Sequence, residues 1–280
     1  MSRNFLSKIV ARKREVVEGL RANSAADAIH AQALEVRKKA AVHRLRQALE
    51  AASPELKIIA EFKRASPSVG MIRSDLPPAD VARHYERGGA CAISVLTDEE
   101  YFGGSIGDLM AVRSSTHLPV LRKDFIIDEI QIYEATIAGA DAVLLIVAAL
   151  DDESLGALRN VAEDELGLDA LIEVHTSGEL RRALNAGAKI IGVNNRDLQT
   201  FEVSLSTSER LISEASADCV MISESGLCGP EELHHLHALG FRGFLIGEPL
   251  MRAKNPETAL RNLLADVNDP QIASHGTSRR

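Results

Sequence analysis

The 280-residue chain has no Trp, three Cys and only 4% aromatic residues. So sparse and odd a set of thiols (Cys91, Cys219, Cys228) excludes a disulfide framework. These thiols are expected as small buried side chains or an idle loop thiol in a reducing compartment. No run of about 18 apolar residues is available to span a bilayer. The opening Met1-Ser2-Arg3-Asn4-Phe5 lacks the apolar stretch of a secretory signal, so a cytoplasmic location is expected. Acidic residues are scarce at one end: residues 1–50 hold 5 Asp/Glu against 11 Lys/Arg, and the rest hold 35 against 21. An acidic body argues against a nucleic-acid groove. The basic run Arg37-Lys38-Lys39, with Arg44 and Arg46, has no interleaved aromatics and reads as a solvated helix face.

What is present is enough apolar material, 45% of residues, for a sizeable core. Residues 1–50 carry Leu6, Ile9, Val10, Val16, Val17 and Leu20 at three- and four-residue intervals, which predicts a helix with one apolar stripe. A second helical stretch is expected through Ala31, Leu34, Ala41, Leu45 and Leu49. These helices form an extension over 1–50 packed on a main domain, 51–267, with a frayed tail over 268–280.

After Pro54 short apolar runs alternate with amphipathic stretches. The runs are Ile58-Ile59-Ala60, Ala92 to Leu96, Val120-Leu121, Ala142 to Val147, Leu171-Ile172, Ile190 to Val193, Val220 to Ile222 and Phe244 to Ile246. Eight strands separated by helices imply parallel pairing. Gly89, Gly139, Gly187 and Gly240 follow helix ends at intervals of about fifty residues, where a glycine can stop a helix by turning left-handed. Four such double units predict an α/β fold, a (β/α)8 TIM barrel with an N-terminal helical extension. The rival open sheet would show a Gly-rich fingerprint after strand one, where Glu61-Phe62-Lys63-Arg64 stands.

In such a barrel the carboxyl ends of the strands share one mouth, which is where chemistry is expected. Strand one ends in Glu61 and Lys63, strand three in Arg122-Lys123-Asp124, strand five in Glu173, strand six in Asn194-Asn195-Arg196 and strand seven in Ser223-Glu224-Ser225. Two lysines and three glutamates in one pocket would shift each other's proton affinities and suit proton shuttling. Metal chemistry is not expected, because the one histidine cluster, His234-His235-Leu236-His237, falls mid-helix away from the mouth. Ser225, Gly226 and Gly247 offer backbone N–H groups where barrel enzymes often hold phosphate, provided that Glu248 points away. The loop Arg64 to Arg73 is read as a cover that excludes water.

Several segments together carry a resemblance. Ile59 to Ser68, Leu96-Thr97-Asp98 with Tyr101 to Ser105, Leu121 to Phe125, Gly192 to Leu198, Ser223 to Gly226 and Phe244 to Glu248 resemble, in order, the motifs of indole-3-glycerol phosphate synthases. The likeness runs from about residue 4 to 265 and takes in the extension. It implies a cofactor-free, metal-free lyase of tryptophan biosynthesis. Such an enzyme converts 1-(2-carboxyphenylamino)-1-deoxyribulose 5-phosphate to indole-3-glycerol phosphate, CO2 and water. By the same resemblance Lys123 is the general acid of ring closure, Glu173 its partner in proton transfer and Lys63 the competing acid at dehydration. Glu61 and Asn194 orient these groups. Arg196, Glu224, Phe102, Phe125, Ser66, Ser225, Gly226 and Gly247 are expected to bind substrate, the two phenylalanines walling the aromatic ring. Expected partners are this phosphorylated small molecule and other tryptophan-pathway enzymes, with no nucleic acid or membrane. Val69 departs from the pattern, standing where many members carry Lys. Rival readings are a class I phosphosugar aldolase with a Schiff-base lysine and a catalytically silent phosphate-binding barrel.

Overall fold

The computed structural model describes residues 3–23, 26–52, 56–197 and 200–265. Three helices come first: α1 (Arg3–Asn23), α2 (Ala26–Arg37) and α3 (Arg44–Glu50). The strands are β1 (Ile58–Phe62), β2 (Ala65–Ser66), β3 (Gly70–Met71), β4 (Ala92–Leu96), β5 (Val120–Lys123), β6 (Ala142–Ile146), β7 (Asp169–Val174), β8 (Ile190–Asn194), β9 (Val220–Glu224) and β10 (Gly243–Ile246). Between and after them run α4 (Pro78–Gly88), α5 (Glu99–Phe102), α6 (Ile106–Arg113), α7 (Glu129–Ile137), α8 (Asp152–Asn160) and α9 (Ser177–Asn185). The last four are α10 (Ser206–Ile212), α11 (Pro230–Leu239), α12 (Glu248–Arg252) and α13 (Pro256–Leu264).

Strands β1 and β4 to β10 close into a parallel barrel in the order β1-β10-β9-β8-β7-β6-β5-β4. This closure excludes the open sheet. Each strand is buried on both faces, which is why it reads as a continuous apolar run. Alternate residues divide between two cores. Ile58, Ala60, Phe62, Ile93 and Val95 pack outward against the helices. Ile59, Leu121, Leu144, Leu171 and Ile222 fill the barrel interior. The four glycines expected to end helices all have positive φ, from 81° at Gly187 to 120° at Gly240.

The interior core does not stop at the strands. Leu45 and Leu49 of α3 belong to it, closing the amino-terminal end of the barrel, with Leu49 against Gly243. Arg44 fixes this plug by donating to both oxygens of Asp141 at 2.9 and 2.8 Å, and Arg113 donates to the same carboxylate at 2.8 Å. Ile9 of α1 and Phe125 complete the core toward the other end.

Two helical expectations are corrected. Val16 is 38% exposed, and the inward face of α1 runs Ile9, Lys13, Val17. A spacing of four keeps one face inward, and Lys13 tolerates burial because two carboxylates meet it there. The second helix is broken. The chain turns between α2 and α3, His43 takes φ 50°, Ala31 and Leu34 face solvent and Ala33 is buried. Arg37 holds the turn by donating to Leu166 O (2.6 Å), Gly167 O (2.9 Å) and Ala41 O (2.7 Å). Thus the basic run is only partly a solvated face: Lys38 and Lys39 are exposed, whereas Arg37 and Arg44 are anchors. The expected tail, 268–280, lies outside the described residues.

Candidate active site

Strand alternation decides which side chains reach the mouth. On β1, Ile59 is interior core, and Glu61 and Lys63, two and four residues on, line the cavity above it. Register pairs Leu96 with Lys123, Ile146 with Glu173, and Asn194 with Glu224, so these ends sit at neighbouring heights around the rim. The Lys123 ammonium lies 3.0 Å from Glu173 Oε2 and 3.2 Å from Glu224 Oε2. Lys63 Nζ lies 2.8 Å from Glu61 Oε1. Asn194, on the neighbouring strand, helps to keep the Glu173 carboxylate ionised.

Crowding these carboxylates together requires bare backbone beside them. A Cβ on Gly192 would stand 2.0 Å from Glu224 Oε1, and one on Gly247 would stand 2.3 Å from Glu61 Oε1. A side chain at either position would therefore have to displace the glutamate carboxylate beside it. Glu224 Oε1 is buried and has no hydrogen-bond partner.

The electrostatics follow from burial and charge count. Burial, the largest single influence, disfavours the Lys123 ammonium, but Glu173, Glu224 and Glu61 together outweigh it and hold its pKa above the ordinary lysine value. Burial also works against the Glu173 carboxylate. Lys123, His175 and hydrogen bonds from Lys123 and Asn194 overcome it and hold Glu173 below the usual range. Glu224 goes the other way: burial and the neighbouring carboxylates prevail over Lys123 and push it up to about 7. One ammonium thus sits between an ionised carboxylate and one that titrates near neutrality, an arrangement able to give and take protons.

These groups line one cavity of about 460 Å³. All the residues expected at the site from the sequence are on its walls. Lys123, Glu173, Lys63, Glu61, Glu224 and Arg196 bring charge to it and Asn194 an amide, with Asp124, Glu248 and Arg252 also on the lining. Phe102 and Phe125, with ring centroids 6.3 Å apart, give an apolar wall together with Leu96 and Ile146. Ser66, Ser225, Gly226 and Gly247 are also on the lining. Ser225 and Gly226 both have positive φ, 67° and 79°, in the turn after β9. Arg196 donates its backbone N–H to Asn194 Oδ1 at 3.0 Å and its guanidinium to Phe201 O at 3.2 Å. Glu248 pairs with Arg252 at 2.9 Å. The loop after β1 forms the β2–β3 hairpin, tied down by Ile72 N donating to Arg64 O and by Arg64 on Asp108, with Ser66, Pro67 and Ser68 on the cavity. Val69 is exposed on that hairpin.

The structure adds residues that the sequence reading missed. Phe5, Leu6 and Ile9 of α1 line the cavity, so the extension builds part of the site. Phe5 packs edge-on against Tyr101 and Phe201, at 5.3 and 5.4 Å. Lys13 reaches Asp98 Oδ2 at 2.9 Å and Asp124 Oδ1 at 2.6 Å, beside Lys123. A lysine in step with Ile9 and Val17 was the available signal. The histidine cluster lies on α11, where His235 pairs with Glu209 at 3.0 Å. Among the described residues no helix is long and apolar enough to cross a membrane.

Comparisons with known proteins bear on the fold and the family. Among solved structures, a thiamine phosphate pyrophosphorylase from Pyrococcus furiosus superposes with a TM-score of 0.56 at 15% identity, over 74% of this chain and 93% of that one. At that identity the likeness is one of fold. Curated relatives are closer. The indole-3-glycerol phosphate synthase of Desulfosudis oleivorans is 51% identical over 207 residues, 74% of this chain and 78% of that protein. Those of Chloroherpeton thalassium and Polaromonas naphthalenivorans are 48% and 43% identical, over 89% and 94% of this chain and 95% and 99% of theirs. The sequence model of indole-3-glycerol phosphate synthase matches residues 6–263, and the chain belongs to this family of carboxy-lyases of tryptophan biosynthesis.

Proposed function

We propose that Lys123 is the proton donor for closure of the indole ring of 1-(2-carboxyphenylamino)-1-deoxyribulose 5-phosphate. The observation that supports this most is the Lys123 ammonium, lining the cavity between Glu173 at 3.0 Å and Glu224 at 3.2 Å. The ring carbon that bears the carboxylate attacks the ketone carbon, and the ketone oxygen takes a proton from Lys123 as the new C–C bond forms. Carbon dioxide then leaves, and the electrons of its bond restore the benzene ring. The remaining hydroxyl departs as water with a proton from Lys63, and a neighbouring C–H gives its proton to Glu173, completing the indole. The division of roles follows the electrostatics and the placement: Glu173 is held below the usual carboxylate range and so suits the base, while Lys63 pairs with Glu61 at the end of β1, across the barrel from β7.

Asn194 orients Glu173, and Glu61 orients Lys63. Phe102 and Phe125 hold the aromatic ring, with Arg196 for its carboxylate. Ser66, Ser225, Gly226 and Gly247 receive the phosphate, with the charge of Glu248, which also lines the cavity, offset by Arg252 at 2.9 Å. The enzyme works in the cytoplasm, within reach of the other tryptophan-pathway enzymes. Incubation with the carboxyphenylamino-deoxyribulose phosphate, without added metal or cofactor, is expected to produce indole absorbance and fluorescence. A silent mixture contradicts this reading. Borohydride added with substrate is expected to leave no adduct on Lys63 or Lys123; a trapped imine would favour Schiff-base chemistry instead.

A further inference from the structure

Beside Glu173, outside the cavity lining, lies His175, just past the end of β7. It follows Glu173 by two residues, so strand alternation carries it to the same side of the chain. Its Nδ1 lies 3.2 Å from Glu179 Oε2 in the first turn of α9, and the same oxygen accepts the His175 backbone N–H at 2.8 Å. Its Nε2 lies 3.5 Å from Glu173 Oε1, buried and without a hydrogen-bond partner. The Glu173 carboxylate therefore has Lys123 at one oxygen and His175 at the other.

The proton count narrows the options. If Nδ1–H is donated to Glu179, a neutral ring must aim its Nε2 lone pair at a carboxylate oxygen, which repels it. A proton placed on Glu173 would remove that repulsion but forfeit the ion pair with Lys123. A doubly protonated ring donates at both ends. The titratable groups facing it are Glu173 on its own strand, Glu179 on α9 and Glu224 on β9, all carboxylates, with Lys123 beyond Glu173. Burial works against the ring's charge, but these carboxylates outweigh it and hold the imidazole above its ordinary pKa.

We propose that His175 is a positioning residue: an imidazolium wedged between Glu179 and Glu173 that keeps the Glu173 carboxylate charged and turned toward Lys123. Its kinetic consequence rests on the reading of Glu173 as the base, but the charge on the ring does not.

Nitrogen NMR of the intact, histidine-labelled protein reads that charge directly. The His175 ring is expected to titrate above the ordinary histidine range, and Glu173→Gln is expected to lower its midpoint by about one pH unit. A ring neutral at pH 6, or a midpoint indifferent to Glu173→Gln, overturns the proposal. In turnover, His175→Gln keeps a neutral polar side chain and removes the charge. It is expected to lower kcat about tenfold with KM within about twofold. It should also move the acid limb of the kcat profile up by about one pH unit, because Glu173 then ionises later. A fall in kcat with the acid limb unmoved means a merely structural role and contradicts the proposal. If His175→Gln does not fold, Glu179→Gln removes the partner that favours the charged ring and is expected to move the limb in the same direction. If Glu173→Gln leaves turnover intact, the role of Glu173 as base fails while the NMR result stands, so the two failures are distinguishable.

Discussion

Replacing Lys13 with Met tests how the N-terminal helix is seated in the mouth of the barrel. Methionine keeps the aliphatic stem and removes the ammonium, which is buried with side-chain exposures of 7% at Lys13, 4% at Asp98 and 1% at Asp124. Breaking a buried ion pair from one side costs about 3–5 kcal/mol, since the partner is left buried and uncompensated. Here the residual partners matter. Asp124 keeps Thr97 Oγ1 at 2.7 Å and Arg122 at 3.2 Å, and Asp98 still accepts the Tyr101 N–H at 2.8 Å as the cap of α5. The lower end, about 3 kcal/mol, is therefore expected. Urea unfolding followed by circular dichroism reads it as a drop in midpoint at constant slope. Asp124 is held below its ordinary pKa, chiefly by Arg122 and Lys13 against the cost of burial, and Lys13 is held above its own. The stability gained from the depressed Asp124 is present above about pH 4 and lost as pH falls through its folded-state value. That gained from Lys13 is present below about pH 10 and lost as pH rises through its folded-state value. The difference between wild type and variant should accordingly be flat near neutrality and shrink in acid. A cost below about 1 kcal/mol at pH 7 would refute the reasoning, because pairs worth that little are solvent-exposed ones.

Three further outcomes are expected. Leu49→Ala, which opens the plug of α3 under the barrel, should destabilise the protein by about 2–4 kcal/mol in the same urea assay; a loss under 1 kcal/mol would mean that α3 is dispensable to the core. Gly247→Ala brings a Cβ to within 2.3 Å of Glu61 Oε1 and should displace Glu61 from Lys63, lowering kcat at least ~10-fold; unchanged turnover would show that this pair plays no part. Glu224, pushed up to about 7, has a folded-state pKa above its unfolded value, so its contribution to stability is full in acid and lost as pH rises through about 7. Glu224→Gln should then gain thermal stability relative to wild type between pH 5 and pH 8, and a pH-independent difference would contradict the raised value.

Much of this architecture was legible from local chemistry. Strands such as Ala142–Ile146 and Ile190–Asn194 are covered on both faces, so they read as unbroken apolar runs, and glycines such as Gly139 and Gly187 mark the turns that only a residue without Cβ takes easily. The catalytic candidates were legible because a charge at the end of an apolar run has few other places to go, and Glu61, Lys123, Glu173 and Glu224 line one cavity. What was not legible depends on partners distant in sequence. The burial of Lys13 requires Asp98 and Asp124, and the break after Arg37 requires the carbonyls of Leu166 and Gly167. At position 13 the step from Ile9 to Val17 hints at burial but not at the partners, and nothing local to position 37 announces the break. His175 is a similar case: beside the capping Thr176 it looks like another polar residue at a helix start, and only the fold sets its ring against Glu173.

In the proposed reaction the ammonium at position 123, fixed between two carboxylates, supplies the proton that closes the ring. The most direct measurement of this step is single-turnover formation of indole fluorescence by Lys123→Ala, with folding verified by circular dichroism. A rate lower by at least ~10² is expected, with substrate still bound. A folded variant that forms indole at the wild-type rate would contradict it.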